Sequence, residues 1–191
     1  MRLSRISPKV QEKDTNMRLL PEEFVTFTVE QQEKFDSQNF LDRFGALKAA
    51  RWMHSVEIPN IVVSRGSKAK GVVRNDAQFF FKWLHDRHAE RILRVMVDDY
   101  APPRESNDDV AIEESLKDFG VMELNWKKVD LCPKVIANIG KELRRLYLYW
   151  GGSNAVLRGW CGSGAFRNLG NLEEIHLSLL PVSLSPDDAA F

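Results

Sequence analysis

Ser153 lies in Gly151-Gly152-Ser153-Asn154-Ala155, a G-x-S-x-A step where a strand-like run gives way to a helix-like one. That is the context of a nucleophile elbow, in which a tight turn holds a serine out for attack on a carbonyl carbon. His176 follows in the chain, as a hydrolase base should. The third member is missing. Glu173 and Glu174 share the short run of the histidine, and no acid stands on a separate strand end between Ser153 and His176. No oxyanion loop is evident either. A glycine turn followed by a helix capped by Ser153 or Asn154 accounts for the same residues.

Asp98-Asp99 ends another strand-like run. Paired carboxylates at the C-terminal edge of parallel strands can hold Mg²⁺ for phosphoryl chemistry. Their one companion is Lys127-Lys128, and a solvated strand end beside the following APP turn explains the pair equally. His85 and His88 are spaced i, i+3 and could share a metal, but no third ligand is obvious. Gly162 and Gly164 are not followed by the lysine of a phosphate loop. The residues therefore call for no cofactor and no metal. An enzyme, either a small hydrolase or a Mg²⁺-dependent phosphoryl enzyme using Ser153 or Asp98/Asp99, is the alternative expectation.

The elements that would position these residues repeat. L-x-x-L-x-L at Leu143, Leu146 and Leu148 is a strand that breaks at Gly151-Gly152. The same pattern of apolar residues stands at Ile58/Ile61/Val63, Ile92/Val95/Val97, Val121/Leu124/Trp126 and Leu172/Ile175/Leu177. Helical runs separate most of these. One opens at Asn75-Asp76 and carries Phe79, Phe80, Trp83 and Leu84 on one face; one follows Asp108 or Asp109 and ends at Gly120; one has Pro133 in its first turn. The patterns start at 58, 92, 121, 143 and 172, at intervals of 34, 29, 22 and 29 residues. Strand-plus-helix units of roughly 20–29 residues are the leucine-rich-repeat range, although no asparagine or cysteine recurs at the ladder position. An ordinary βαβ sheet is the competitor.

Alternation along a strand gives the opposite face. Its first column reads Asn60, Arg94, Glu123, Arg145, Glu174; its second Val62, Met96, Asn125, Tyr147, His176; its third Ser64, Asp98, Lys127, Tyr149, Ser178. In a parallel sheet, basic and acidic residues of the first column would alternate, each pair contributing roughly 0.2–1 kcal/mol. A doubly wound sheet would be apolar on both faces. These polar columns instead predict an α/β fold of about five parallel strands with helices on one face, a short leucine-rich-repeat-like array. Residues 1–52 form an N-terminal arm with one or two helices after Glu30, 53–180 the repeat-like domain, and 181–191 a tail. Aromatic residues on an uncovered face are partner contacts, so Met96, Asp98, Lys127, Tyr147, Tyr149 and His176 are the candidate binding residues.

Composition sets the class. Lysines plus arginines number 27, as do aspartates plus glutamates, so no net field favours nucleic acid or an anionic membrane. Cys132 and Cys161 are not in a C-x-x-C spacing and fit a reducing compartment. The basic N-terminus lacks an apolar run of signal-peptide type, and no stretch of about 18 apolar residues could span a bilayer. The expectation is a soluble, cytoplasmic protein.

VEIPNIVVSRG (56–66), NDAQFFFKWL (75–84), RILRVMVDD (91–99), LNWKKVDLCP (124–133) and LYWGGSNAVLRGW (148–160) carry a resemblance. Together they resemble the accessory segment upstream of the protease domain in fungal subtilisin-like intracellular serine proteases, over roughly two thirds of the chain. The Asp, His and Ser motifs of that protease domain are absent here. The resemblance thus implies a non-catalytic interaction or regulatory module whose partner is a protein, possibly the protease domain, in cis or in trans.

Overall fold

The apolar runs fold as neighbouring strands of one sheet. The structure, a computed structural model, describes residues 2–6, 24–30, 35–46, 49–64, 74–99, 106–162 and 165–179. In chain order the elements are β1 (Arg2–Ile6), β2 (Phe24–Thr28), β3 (Phe35–Asp36), α1 (Ser37–Phe44), β4 (Trp52–Ile58) and β5 (Val63–Ser64). They continue with α2 (Asp76–His85), β6 (Arg91–Val97), α3 (Asp109–Leu116), β7 (Gly120–Val129) and α4 (Pro133–Ile139). Last come β8 (Arg145–Trp150), α5 (Asn154–Cys161), a 3-10 turn at Phe166–Asn168 and β9 (Glu174–Leu179). The expected tail at 181–191 lies outside the described residues.

The large sheet runs β1-β2-β4-β6-β7-β8-β9. β1 is antiparallel to β2, and the remaining six strands are parallel. β3 and β5 form a separate short parallel pair. The chain is thus α/β, with a six-stranded parallel sheet and five α-helices among the described residues.

The parallel strands lie in sequence order and the order never reverses, so the sheet has no topological switch point. Right-handed crossovers that always advance in one direction return on the same side. The packing agrees. Met53, Val56 and Ile58 on β4, Ile92, Val95 and Val97 on β6, and Val121, Leu124 and Trp126 on β7 are all buried in one core with Phe80 and Phe81 of α2, Ile112 of α3 and Ile136 of α4. Phe81 stacks on Trp126 with ring centroids 5.9 Å apart. From β6 to β9 the opposite face of the strands carries half-buried or exposed side chains, polar and aromatic among them.

Local chemistry places the helices. Asp36 caps α1 by accepting from the backbone N–H groups of Gln38 (2.9 Å) and Asn39 (3.1 Å), and Asp108 caps α3 through Val110 N–H. Pro133 occupies the first turn of α4, where a missing N–H costs nothing.

Two expectations about the N-terminal half are corrected. The segment containing Phe24, Val25 and Phe27, expected to be a loose arm, supplies a strand of the main sheet, with Phe27 fully buried 5.6 Å from the ring of Trp83. Five residues of mixed polarity are too short a run to show a period. The first repeat strand is also displaced. Met53-x-x-Val56-x-Ile58 aligns with Ile92, Val95 and Val97, not Ile58/Ile61/Val63. Both frames share Ile58 and the same spacing, and Pro59 ends the strand. Ile61 and Val63 are buried beyond it, Val63 in β5. Asn60 is buried with its side-chain oxygen accepting from Arg74 (3.0 Å), so it leaves the open-face column.

Candidate functional site on the uncovered sheet face

From β6 to β9 the first column of the open face has the expected register. Arg94, Glu123, Arg145 and Glu174 are successive aligned partners. Glu123 receives Arg94 Nε at 3.1 Å on one carboxylate oxygen and Arg145 Nη1 at 3.1 Å on the other, and Arg145 Nε lies 2.7 Å from Glu174. Glu174, followed by the hydrogen bond to Glu123, holds the Arg145 guanidinium above its ordinary pKa. On β4 the position belongs to Ser55, whose hydroxyl is 3.2 Å from that of Thr26; both are buried. The row of charges therefore closes on itself and ends in a neutral pair.

The second column is Glu57, Met96, Asn125, Tyr147 and His176. Tyr147 and His176 stack with centroids 4.4 Å apart and planes 10° from parallel. The third column departs from expectation. Asp98 and Lys127 stand together at 3.7 Å, but the register shifts between Asn125 and Val129, so Tyr149 aligns with Val129 and not with Lys127. The shift brings the Tyr149 hydroxyl to Asn125, to whose side-chain oxygen it donates at 2.7 Å. Burial pushes the Tyr149 phenol above its usual pKa, and the negative charge of Asp98 adds to it. A groove of about 380 Å³ runs across the C-terminal ends of β2, β4, β6 and β7, with Thr28, Glu57, Pro59, Met96, Asp98 and Lys127 among its lining.

Of the candidate binding residues, Met96, Tyr147, Tyr149 and His176 come together on this face, and Asp98 and Lys127 form one end of it. Glu57 and Asn125 complete it. Asn125 stood in the expected column without being singled out, and Glu57 was hidden by the displaced first strand.

No family model, curated protein or solved structure matches the chain. Its chemistry is therefore read from its own geometry.

The catalytic candidates do not assemble. Asp98 and Asp99 point to opposite faces. Asp99 is 1% exposed and fully engaged, with Arg74 Nη1 at 3.2 Å, Trp126 Nε1 at 2.9 Å and Asn107 donating from both its backbone (2.9 Å) and side chain (2.8 Å). That carboxylate fastens the end of β6 to the loop before α3 and to β7, leaving no shared Mg²⁺ site with Asp98. Ser153 is exposed at the start of α5 without a side-chain cap bond, and His176 is committed to Tyr147 and to Glu174, 3.6 Å away. No hydrogen bond joins Ser153 to a histidine among the described residues. His85 neighbours Asp86, and no group of three metal-binding side chains occurs among the described residues. No helix among them is long and apolar enough to cross a membrane.

Proposed function

We propose that the chain is a non-catalytic protein-interaction module, a short leucine-rich-repeat-like array that offers its uncovered sheet face to a protein partner. The face that none of the described helices covers carries this reading: they return on one side, while Met96, Tyr147, Tyr149 and His176 share the other. Contiguous aromatic and apolar surface of this kind marks interaction sites on soluble proteins. The tyrosines are already ordered, Tyr147 by stacking and Tyr149 by its bond to Asn125, so a partner covering them would immobilise little that is free. In the repeat reading each strand and its returning helix form one unit, and the helix-free side is the extended binding surface.

By the resemblance over residues 56–177, the partner is a subtilisin-like serine protease domain in cis or in trans, recruited, positioned or regulated in the cytoplasm. The test compares wild type with Tyr147→Ala/Tyr149→Ala in pull-downs from native lysate, after thermal melts show both folded. The double variant should lose its partners, binding being weakened by more than about 2 kcal/mol. Retention of the same partners would overturn the reading.

A further inference from the structure

We infer that the groove at the β4–β6 end of the open face receives a basic side chain, arginine or lysine, of the partner polypeptide. The inference rests on the proposed interaction role and names the chemistry of one part of the same face.

Charge balance carries the argument. Across β6 to β9 every charge of the first column is met by its neighbour, so that row has no valence left for a ligand. The groove is different, holding two carboxylates, Glu57 and Asp98, against the one ammonium of Lys127. Lys127 Nζ stands 3.7 Å from Asp98, too far for a charge-assisted hydrogen bond, and lies exposed. Glu57 makes no ion pair among the described residues, and its contact with the Ser55 hydroxyl is a long 3.4 Å. Among the described residues, the unmatched negative charge thus collects at one end of this face, beside a row whose charges are paired.

Shape selects the kind of cation. Glu57 is aligned with Met96, and Asp98, one residue past the end of β6 and two after Met96, lines the same groove. The two carboxylates are therefore diagonal neighbours, roughly 7–8 Å apart at the backbone, and Met96 lines the groove beside both. Val29, Ile58 and Pro59 continue the apolar lining. An aliphatic stem lying on Met96 would place a guanidinium or ammonium within reach of both acids. A divalent metal fits worse, because it needs more oxygen ligands than this pair supplies, and no group of three metal-binding side chains occurs among the described residues.

Random peptides displayed on phage and selected on the purified full chain test the proposal. Enriched peptides should carry a basic residue at a fixed position. Replacing that residue in a synthetic winner, arginine by citrulline or lysine by norleucine, should weaken binding to wild type more than about tenfold. The same replacement should change little on Glu57→Gln or Asp98→Asn, whose folding is checked by thermal melts. Enriched peptides that lack the basic residue but still depend on Tyr147 and Tyr149 would overturn this inference and leave the interaction role standing. A selection giving no peptide sensitive to any open-face substitution would overturn both.

Discussion

The ring of Tyr147 lies flat on that of His176, centroids 4.4 Å apart, on neighbouring parallel strands. One residue earlier on β8, Leu146 is wholly buried between Leu124 and Ile175, its aligned partners. Adjacent residues of one strand thus serve opposite duties, one filling the core beneath the helices and one building a surface. Leu146→Ala should cost roughly 2–5 kcal/mol through lost burial and a residual cavity. Tyr147→Ala forfeits only a cross-strand pair, roughly 0.2–1 kcal/mol. Urea unfolding of both variants measures the contrast, and equal losses would refute the assigned faces.

Glu123 joins β6 to β8 by holding Arg94 and Arg145 on its two carboxylate oxygens. Glu123→Lys should destabilise by about 1 kcal/mol or more, since the two arginine heads are exposed and such pairs individually weak, while the Glu123 side chain between them is largely covered. Adding Arg145→Glu restores one opposite pair at position 123 but sets a second carboxylate beside Glu174, so little net stability should return although the two positions are coupled. A double-mutant cycle at low and high salt reads the coupling, which should shrink as salt rises. Zero coupling at low salt would mean that the pairs contribute nothing in solution.

Periodicity made most of this arrangement legible. The spacing of Ile92/Val95/Val97, Val121/Leu124/Trp126 and Leu146/Leu148 marked strands and register because a strand buried on one side must repeat its apolar positions. Alternation alone sets Arg94, Glu123, Arg145 and Glu174 in one row. At β4 the method failed for a physical reason: two frames sharing Ile58 fit the pattern, and Pro59 decided between them. Tyr149 is expected beside Lys127, two residues from its true neighbour Val129, because a local register shift in β7 has no signature in residue type. The role of Asp99 could not be read at all, since Arg74, Asn107 and Trp126 reach it from three separate segments.

Asp99→Asn tests that buried junction. An amide must turn a donor toward Arg74 and Asn107 or toward Trp126, all of which already donate. It also removes the charge opposite Arg74, which keeps Asp76 at 2.9 Å. The expected cost is about 3 kcal/mol, read as a lower urea midpoint. Asp98→Asn, one residue away on the open face, should leave the midpoint nearly unchanged.

The far edge of the sheet offers a different contrast. Leu148 and Leu177 are aligned on neighbouring strands, yet Leu148 is 2% exposed and Leu177 is 52% exposed. Leu148→Ala should cost roughly 2–5 kcal/mol, and Leu177→Ala well under half of that, because burial sets the transfer term. Thermal melts at matched concentration compare them. Similar losses at the two sites would show that Leu177 is covered in solution.

Tyr149 gives the chain a pH dependence with a definite sign. Burial raises its phenol above the ordinary value of 10.0. Below that value the phenol is neutral in both folded and unfolded chains, and its contribution to stability is fully present. As pH climbs past the ordinary value the unfolded chain ionises first, unfolding releases a proton, and stability falls until the folded phenol ionises as well. Wild type should therefore lose stability with rising alkaline pH more steeply than Tyr149→Phe, which has no proton to release. Lysines titrate in the same range, so the difference between the two profiles is the quantity to measure. The phenolate ultraviolet absorbance of the folded protein should show one tyrosine ionising late, and that late step should vanish in Tyr149→Phe. Parallel stability profiles, together with an unchanged tyrosine titration, would mean that the phenol is more open to water than its bond to Asn125 implies.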